Sequence, residues 1–368
     1  MMNRNIEEVI TRLQSNYEPL DTFSLSDLSN LIGAEQKALQ QAWPTISLDR
    51  RRELIRLMNE QADEDIQLDF SAVCVLGLQD KDARVRHLSI EGLWESEDIK
   101  LIRTFLRLLR QDSSIEVRAS AASALGRFVF QGEMQYLTEA RLKELVETLV
   151  KTFSDHALPL IIRRRAIESL AYSTDARIPA LISQAYESSE DEMRASALFA
   201  MGRTADSYWS GTVRVELFNE DSALRFEAVR AAGELTDKQA VDRVAVLLLD
   251  DKQDSQIREA AAWALGEIGG TIAKKALSAV SKTNDLALRK VVKESLAEMA
   301  FFDDDNSLNM TFLLDDVVDS EDEIDQILGS NGYYDEYDQD PDEYDQNHDD
   351  DQDRDNWDSN QDWLSVPF

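Results

Sequence analysis

Seven times along the chain one ten-residue phrase returns: an apolar residue, Arg, two variable positions, a small residue, two more variable positions, then small-Leu-Gly or a near substitute. VRASAASALG, ending at Gly126, and IREAAAWALG, ending at Gly266, are its clearest copies. MRASALFAMG, LRFEAVRAAG, VRHLSIEGLW, IRRRAIESLA and LRKVVKESLA fill the same frame. Its arginines are Arg86, Arg118, Arg163, Arg194, Arg225, Arg258 and Arg289, spaced 32, 45, 31, 31, 33 and 31 residues apart. A strict period of this size restricts a chain to repeat architectures, in which each unit contacts only its neighbours.

Within each copy the small and apolar residues fall at i, i+3, i+4 and i+7, one face of an α-helix. A second apolar-periodic segment separates the copies, such as IKLIRTFLRLLR or AVDRVAVLLLD, so each unit reads as a helical hairpin. Neither helix can bury its apolar face alone, and stacking of hairpins follows. The expected fold is therefore all-α, a right-handed α-solenoid of about eight hairpins over residues 45–302. Residues 1–44 read as a helical cap, and ISLDRRRELIRLM fits the frame loosely around Arg51. The long interval between Arg118 and Arg163 is assigned to inserted or extended helix in QGEMQYLTEARLKELVETL.

An acid stands four residues before the arginine in five copies, as Asp82, Glu190, Asp221, Asp254 and Asp285. Carboxylates suit a helix N-terminus, where exposed N–H groups and the positive end of the dipole favour them. The expectation is a structural ladder of acid-Arg contacts between consecutive turns. The glycine after Leu is expected to close each helix in the left-handed conformation.

The pattern D-x-x-φ-R-x-x-A-x-x-A-L-G at a period near 31 resembles the phycobilisome-lyase HEAT-like repeat family, over roughly residues 45–300. That resemblance implies an armadillo/HEAT-type α-α superhelix that holds protein partners on its concave face. It also implies one enzymatic alternative, a bilin-lyase-like part in tetrapyrrole attachment or another protein modification. Deoxyhypusine hydroxylase, a HEAT-repeat di-iron enzyme, uses His-Glu dipeptides; here none of His87, His156 and His348 precedes a Glu. No metal site, cofactor or catalytic residue is expected. Close carboxylates such as Asp250 and Asp251 read as solvated turn residues, and Trp94, Trp209 and Trp263 as packing residues. The single cysteine, Cys74, lies within FSAVCVLGL and reads as a small buried hydrophobe.

Charge divides the chain unequally. Residues 303–368 carry 24 acidic side chains against one base, Arg354, whereas residues 1–302 carry 48 acids and 38 bases. Clustered Lys and Arg, the footprint of phosphate binding, are absent from such a balance, so nucleic acid is not an expected partner. With no secretory signal and no apolar run near ~20 residues, a monomeric bacterial protein in the cytoplasm is expected.

The composition of residues 303–368 predicts a disordered acidic tail. Within it, MTFLLDDVVDSEDEIDQIL mixes apolar residues with acids, as in segments that order upon a partner. DWLSVPF, ending in Val366, Pro367 and Phe368, resembles the terminus of bacterial single-stranded DNA-binding proteins. That resemblance implies a tip that docks into a basic pocket of a partner. A third use is self-masking, with the tail laid over Arg163, Arg164 and Arg165. The function expected is a non-enzymatic scaffold with an acidic second arm.

Overall fold

The computed structural model describes residues 6–15, 20 and 25–302, so every expectation for the acidic tail lies outside the described residues. Seventeen α-helices, and no strand, occur among them. In chain order they are α1 (Ile6–Gln14), α2 (Gly33–Ala42), α3 (Leu48–Glu64), α4 (Ser71–Gly77), α5 (Ala83–Glu91), α6 (Leu101–Gln111), α7 (Ile115–Glu133), α8 (Glu139–Ser154) and α9 (Leu160–Leu170). The remainder are α10 (Ile178–Tyr186), α11 (Asp191–Arg203), α12 (Ser210–Glu216), α13 (Ser222–Glu234), α14 (Val241–Leu249), α15 (Ser255–Ile268), α16 (Thr271–Val280) and α17 (Leu286–Phe302).

From α4 onward each even-numbered helix pairs with the odd-numbered helix that follows it, giving seven hairpins from α4/α5 to α16/α17. Helices α2 and α3 extend the two layers by one further step, α2 against α4 and α3 against α5, and α1 packs on α2. The eight steps form the α-solenoid that the repeat calls for. The odd-numbered helices carry the repeated phrase, and each touches the next along the whole series from α3 to α17. The even-numbered helices carry bulkier apolar residues and touch one another less. The odd-numbered layer, the more closely packed along the stack, is here called the inner layer.

Small side chains make that inner contact possible. Helix α11 buries Met193, Ala195, Ala197, Leu198, Ala200 and Met201, and its Gly202 faces Ala231 of α13. The repeat glycines thus do a different job from the one expected. Gly126, Gly202, Gly233 and Gly266 lie inside their helices, and a Cβ on Gly202 would sit 2.9 Å from Ala231 Cα. The chain turns left-handed three residues later at Ala205 (φ 51°), Thr236 (φ 47°) and Gly269 (φ 71°), and nine residues after Gly126 at Gln135 (φ 67°). The small-Leu-Gly triplet marks a helix crossing, and closure falls to a later residue, three positions on in three of the four.

The long interval resolves as expected into extended helix. Helix α7 runs for 19 residues and α8 for 16, against 13 in α11. Between the layers lies one continuous apolar core in which side chains such as Leu125, Leu248 and Leu265 are fully buried, each worth ~1.5–3 kcal/mol relative to exposure. No helix among the described residues is long and apolar enough to cross a membrane.

Candidate functional site

The repeat arginines stand at the first turns of the inner helices, where they close hairpins. Arg118, Arg163 and Arg258 each donate through Nε to a carbonyl in the last turn of the preceding outer helix: Leu109 (2.9 Å), Phe153 (2.9 Å) and Leu248 (3.1 Å). Arg86 reaches the carbonyls of Asp80 (2.9 Å) and Lys81 (3.0 Å), Arg225 that of Glu220 (2.7 Å), and Arg289 that of Thr283 (2.8 Å). A helix leaves its last four carbonyls without internal partners, and the guanidinium, with five donors, is suited to satisfy them.

The acid-Arg ladder differs from the one expected. Asp82, Asp221, Asp254 and Asp285 accept from the backbone N–H groups of Val85 (3.1 Å), Leu224 (2.9 Å), Gln256 (2.8 Å) and Ala287 (3.0 Å), while Glu190 occupies the same position without a side-chain cap. None of the five pairs with the arginine four residues on. The guanidinium partner comes instead from the next hairpin: Arg86 forks onto Asp112 (2.7 and 2.8 Å) and Arg194 meets Glu216 (3.3 Å), as Arg51 meets Asp80 (3.0 Å). Arg194 also bonds Asp191 (3.0 Å). Asp82 is taken by Arg52, whose fork (2.6 and 3.0 Å) holds its carboxyl below the usual range.

Arg163, Arg164 and Arg165 do not form an open basic patch. Beside the Arg163 bond to Phe153, Arg164 Nε donates to Ser196 Oγ (2.9 Å) and Arg165 to Glu168 Oε2 (2.7 Å). The self-masking expected here concerns the tail, which lies outside the described residues. Val366, Pro367 and Phe368 lie outside the described residues.

What the repeat frame passes over is the face of the inner helices turned away from the outer layer. On α11 that face carries Glu192, Ser196, Phe199 and Arg203, at i, i+4, i+7 and i+11. One period on, the same positions hold Glu227, Arg230 and Glu234 of α13, and then Trp263 and Glu267 of α15. Arg203 lies 5.3 Å from the Phe199 ring centre, and Arg230 spans Phe199 (5.8 Å) and Phe226 (5.9 Å). Both guanidinium groups converge on Glu234 Oε1, at 3.4 and 3.6 Å. Cations above aromatic faces and a shared carboxylate fix this surface as a rigid array. Toward α7 the row continues in Tyr172, which meets Phe130 edge-on at 6.2 Å.

Electrostatically the array is uneven. Glu227 Oε2 is buried without a hydrogen-bond partner, and burial pushes its carboxyl up to about 7, with Glu168 and Glu234 adding to the effect and Arg230 and Arg165 opposing it. The Glu227 side chain borders solvent, yet it is walled in by the neighbouring helices, and that crowding sets its proton affinity. Burial likewise raises Glu234, Glu259 and Glu267, the last with help from Glu298. The inner face thus runs from guanidinium groups on α9 and α11 to crowded carboxylates on α13, α15 and α17.

Other reactive groups are held in structural contacts. Cys74 is fully buried, which pushes its thiol up to about 12. His87 lies 2.7 Å from Ser120 Oγ and 3.0 Å from Glu91. No group of three His, Cys, Asp or Glu side chains among the described residues is arranged to hold a metal ion. Trp209 is buried, whereas Trp263 stands half-buried on the inner face over Gly233.

With this geometry in view, the likenesses to known proteins can be placed. No curated protein matches the chain. Among solved structures it is similar to human deoxyhypusine hydroxylase in complex with glycerol (19% identity over 72% of this chain and 96% of that one, TM-score 0.34). It is similar also to the complex of CpcE and CpcF of phycocyanin lyase from a Nostoc species (16%, 62% and 94%, TM-score 0.41) and to importin beta (13%, 80% and 44%, TM-score 0.40). None of these scores reaches 0.5, and nothing about this chain's ligands follows from them. The model for HEAT repeats matches residues 212–297, and that for a single HEAT repeat matches residues 101–131. Those two stretches are HEAT repeats, set in a solenoid whose other hairpins follow the same two-layer plan.

Proposed function

We propose that the chain is a non-enzymatic scaffold of the cytoplasm whose inner face receives a segment of a partner protein. The observation that carries this reading is the array of Phe199, Arg203, Phe226 and Arg230 above Glu234, continued by Trp263. Aromatic and Arg side chains that are already ordered lose little entropy on binding, and they dominate the energetics of protein interfaces. The unpartnered carboxylate oxygen of Glu227 adds a specific demand: the bound segment should bring a donor, from Lys, Arg or a backbone N–H, to that point. The buried thiol of Cys74 and the engaged ring of His87 support a reading without catalysis.

Affinity capture with the full chain as bait tests this. A variant with Phe199→Ala and Arg230→Ala should lose a stoichiometric protein partner, while Tyr208→Ser with Val215→Ser, two exposed changes away from the inner face, should keep it. Circular dichroism of both variants confirms that the fold is intact. Retention of the partner by the inner-face variant, or a bound pigment in place of a protein, would overturn the proposal.

A further inference from the structure

The outer layer is not equally tight along its length. Helix α4 has only seven residues where α6 has eleven, and the spaces on either side of it stay open. Between α2 and α4 lies a cavity of about 70 Å³, floored by Leu39, Val75 and Leu76 and rimmed by Gln36, Gln40 and Gln79. Between α4 and α6 lies a wider notch of about 370 Å³, lined by Gln79, Thr104 and Arg107. Gln79 borders both, so they form one groove, apolar at the α2 end and cationic at the α6 end, and no carboxylate lines it. The guanidinium groups of α6 differ in their commitments. Arg110 donates to Thr148 Oγ1 (2.7 Å) and pairs with Glu144 (3.9 Å), whereas Arg103 and Arg107 have no hydrogen-bond or ion-pair partner among the described residues. The side chains of Gln79 and Thr104 are likewise unengaged among the described residues. A guanidinium, a hydroxyl and an amide thus line one notch, with no group of the chain's own to bind.

We propose that this groove receives an extended, acidic segment of a partner protein, with an apolar side chain between α2 and α4 and a carboxylate on Arg107. Packed helices stand about 8–10 Å apart and an extended chain advances about 3.3 Å per residue, so the carboxylate belongs about three residues from the apolar side chain. Glutamine rims suit an extended backbone, since each amide both donates and accepts. The guanidinium fork suits a carboxylate, which it can take through two parallel bonds, and Arg103, exposed one turn earlier on α6, adds to the same charge. A second copy of the groove is the poorer occupant, because it would set arginines against arginines. The groove lies in the opposite layer from Phe199 and Arg230, and its occupancy is independent of what the inner face receives.

Fluorescence anisotropy of labelled eight-residue peptides with the full chain tests this. Each peptide is Gly and Ser apart from one Leu and one Glu set three residues apart, in either order, with both ends blocked. One of the two orders should bind with a dissociation constant below about 1 mM, and replacing its Glu by Gln or its Leu by Ser should weaken binding about tenfold. Arg107→Glu should abolish binding of that peptide and create binding of its counterpart with Lys in place of Glu, a reversal that an unfolded variant could not give. Lys282→Glu, an exposed change at the other end of the stack, should leave the affinity unmoved. No binding of either order at about 1 mM, equal binding of the Gln peptide, failure of the charge reversal, or an equal loss in Lys282→Glu would each overturn the proposal.

Discussion

Gly233 runs directly beneath Ala264: a Cβ built on the glycine would stand 2.9 Å from both Ala264 Cα and Ala264 Cβ, and 2.8 Å from the Trp263 ring. That clearance is below any real carbon contact, and the obstacle is backbone, which cannot swing aside. Gly233→Ala should therefore lower stability by about 1–3 kcal/mol through forced separation of α13 and α15, even though alanine is the better helix former. Gly211 of α12, where a Cβ meets nothing within 4 Å, supplies the control. There the same change should stabilise by about 0.5–1 kcal/mol. Urea unfolding of the two variants decides the matter.

Left-handed closure by residues other than glycine is a reservoir of strain. Ala205 and Thr236 hold φ of 51° and 47°, a conformation that costs about 1–2 kcal/mol for a residue with a Cβ. Ala205→Gly should recover up to about 1 kcal/mol, and Thr236→Gly more, since the branched side chain suffers more in that region. A rise in the unfolding midpoint of both, larger for Thr236→Gly, is the expected result.

Arg86 ties three segments together, through the carbonyls of Asp80 and Lys81 and the carboxylate of Asp112, with its side chain 11% exposed. Arg86→Ala should cost about 3–5 kcal/mol, because it leaves a nearly buried carboxylate without its counter-charge. Asp112→Asn, which keeps an acceptor for the guanidinium, should cost less. A double-mutant cycle on the pair should show coupling well above the 0–1 kcal/mol usual for exposed pairs.

The hairpin plan could be read from the sequence because helical periodicity and a 31-residue spacing are local properties of the chain. The extension at α7 and α8 was legible for the same reason. The partner of Arg86 was not, since it depends on how one hairpin sets against the next: Asp112 and Asp80 share a place six residues before the following repeat arginine, but nothing local shows that it faces the arginine of the hairpin before. Gly126 and its equivalents misled because the consensus ends on the glycine, while the left-handed residue that follows the helix stands three to nine positions further on. Phe199 and Arg230 occupy the variable positions, and Arg203 follows the last residue of the phrase, so any search for sameness discards them.

Glu227 gives the inner face a pH dependence whose sign can be worked out. Its folded pKa, about 7, lies above the ordinary carboxylate value, so the folded state holds the proton more tightly than the unfolded one. Stability contributed at this site is fully present below the ordinary value, falls as pH rises through that value toward 7, and is level above it. Glu227→Gln removes the titration. The variant should match the parent near pH 4 and exceed it by on the order of 1–2 kcal/mol at pH 8, as thermal melts at the two pH values would show.

The recurrence of one joint has a consequence for how such a molecule can change length. Gly202 meets Ala231 as Gly233 meets Ala264, so a deletion of residues 203–233 would bring Gly202 to face Ala264 and restore a seam of the same shape. A deletion half that long would set an inner helix where an outer one belongs. The chain is thus built in interchangeable lengths, and it can be shortened or lengthened by whole units without a new interface having to be invented.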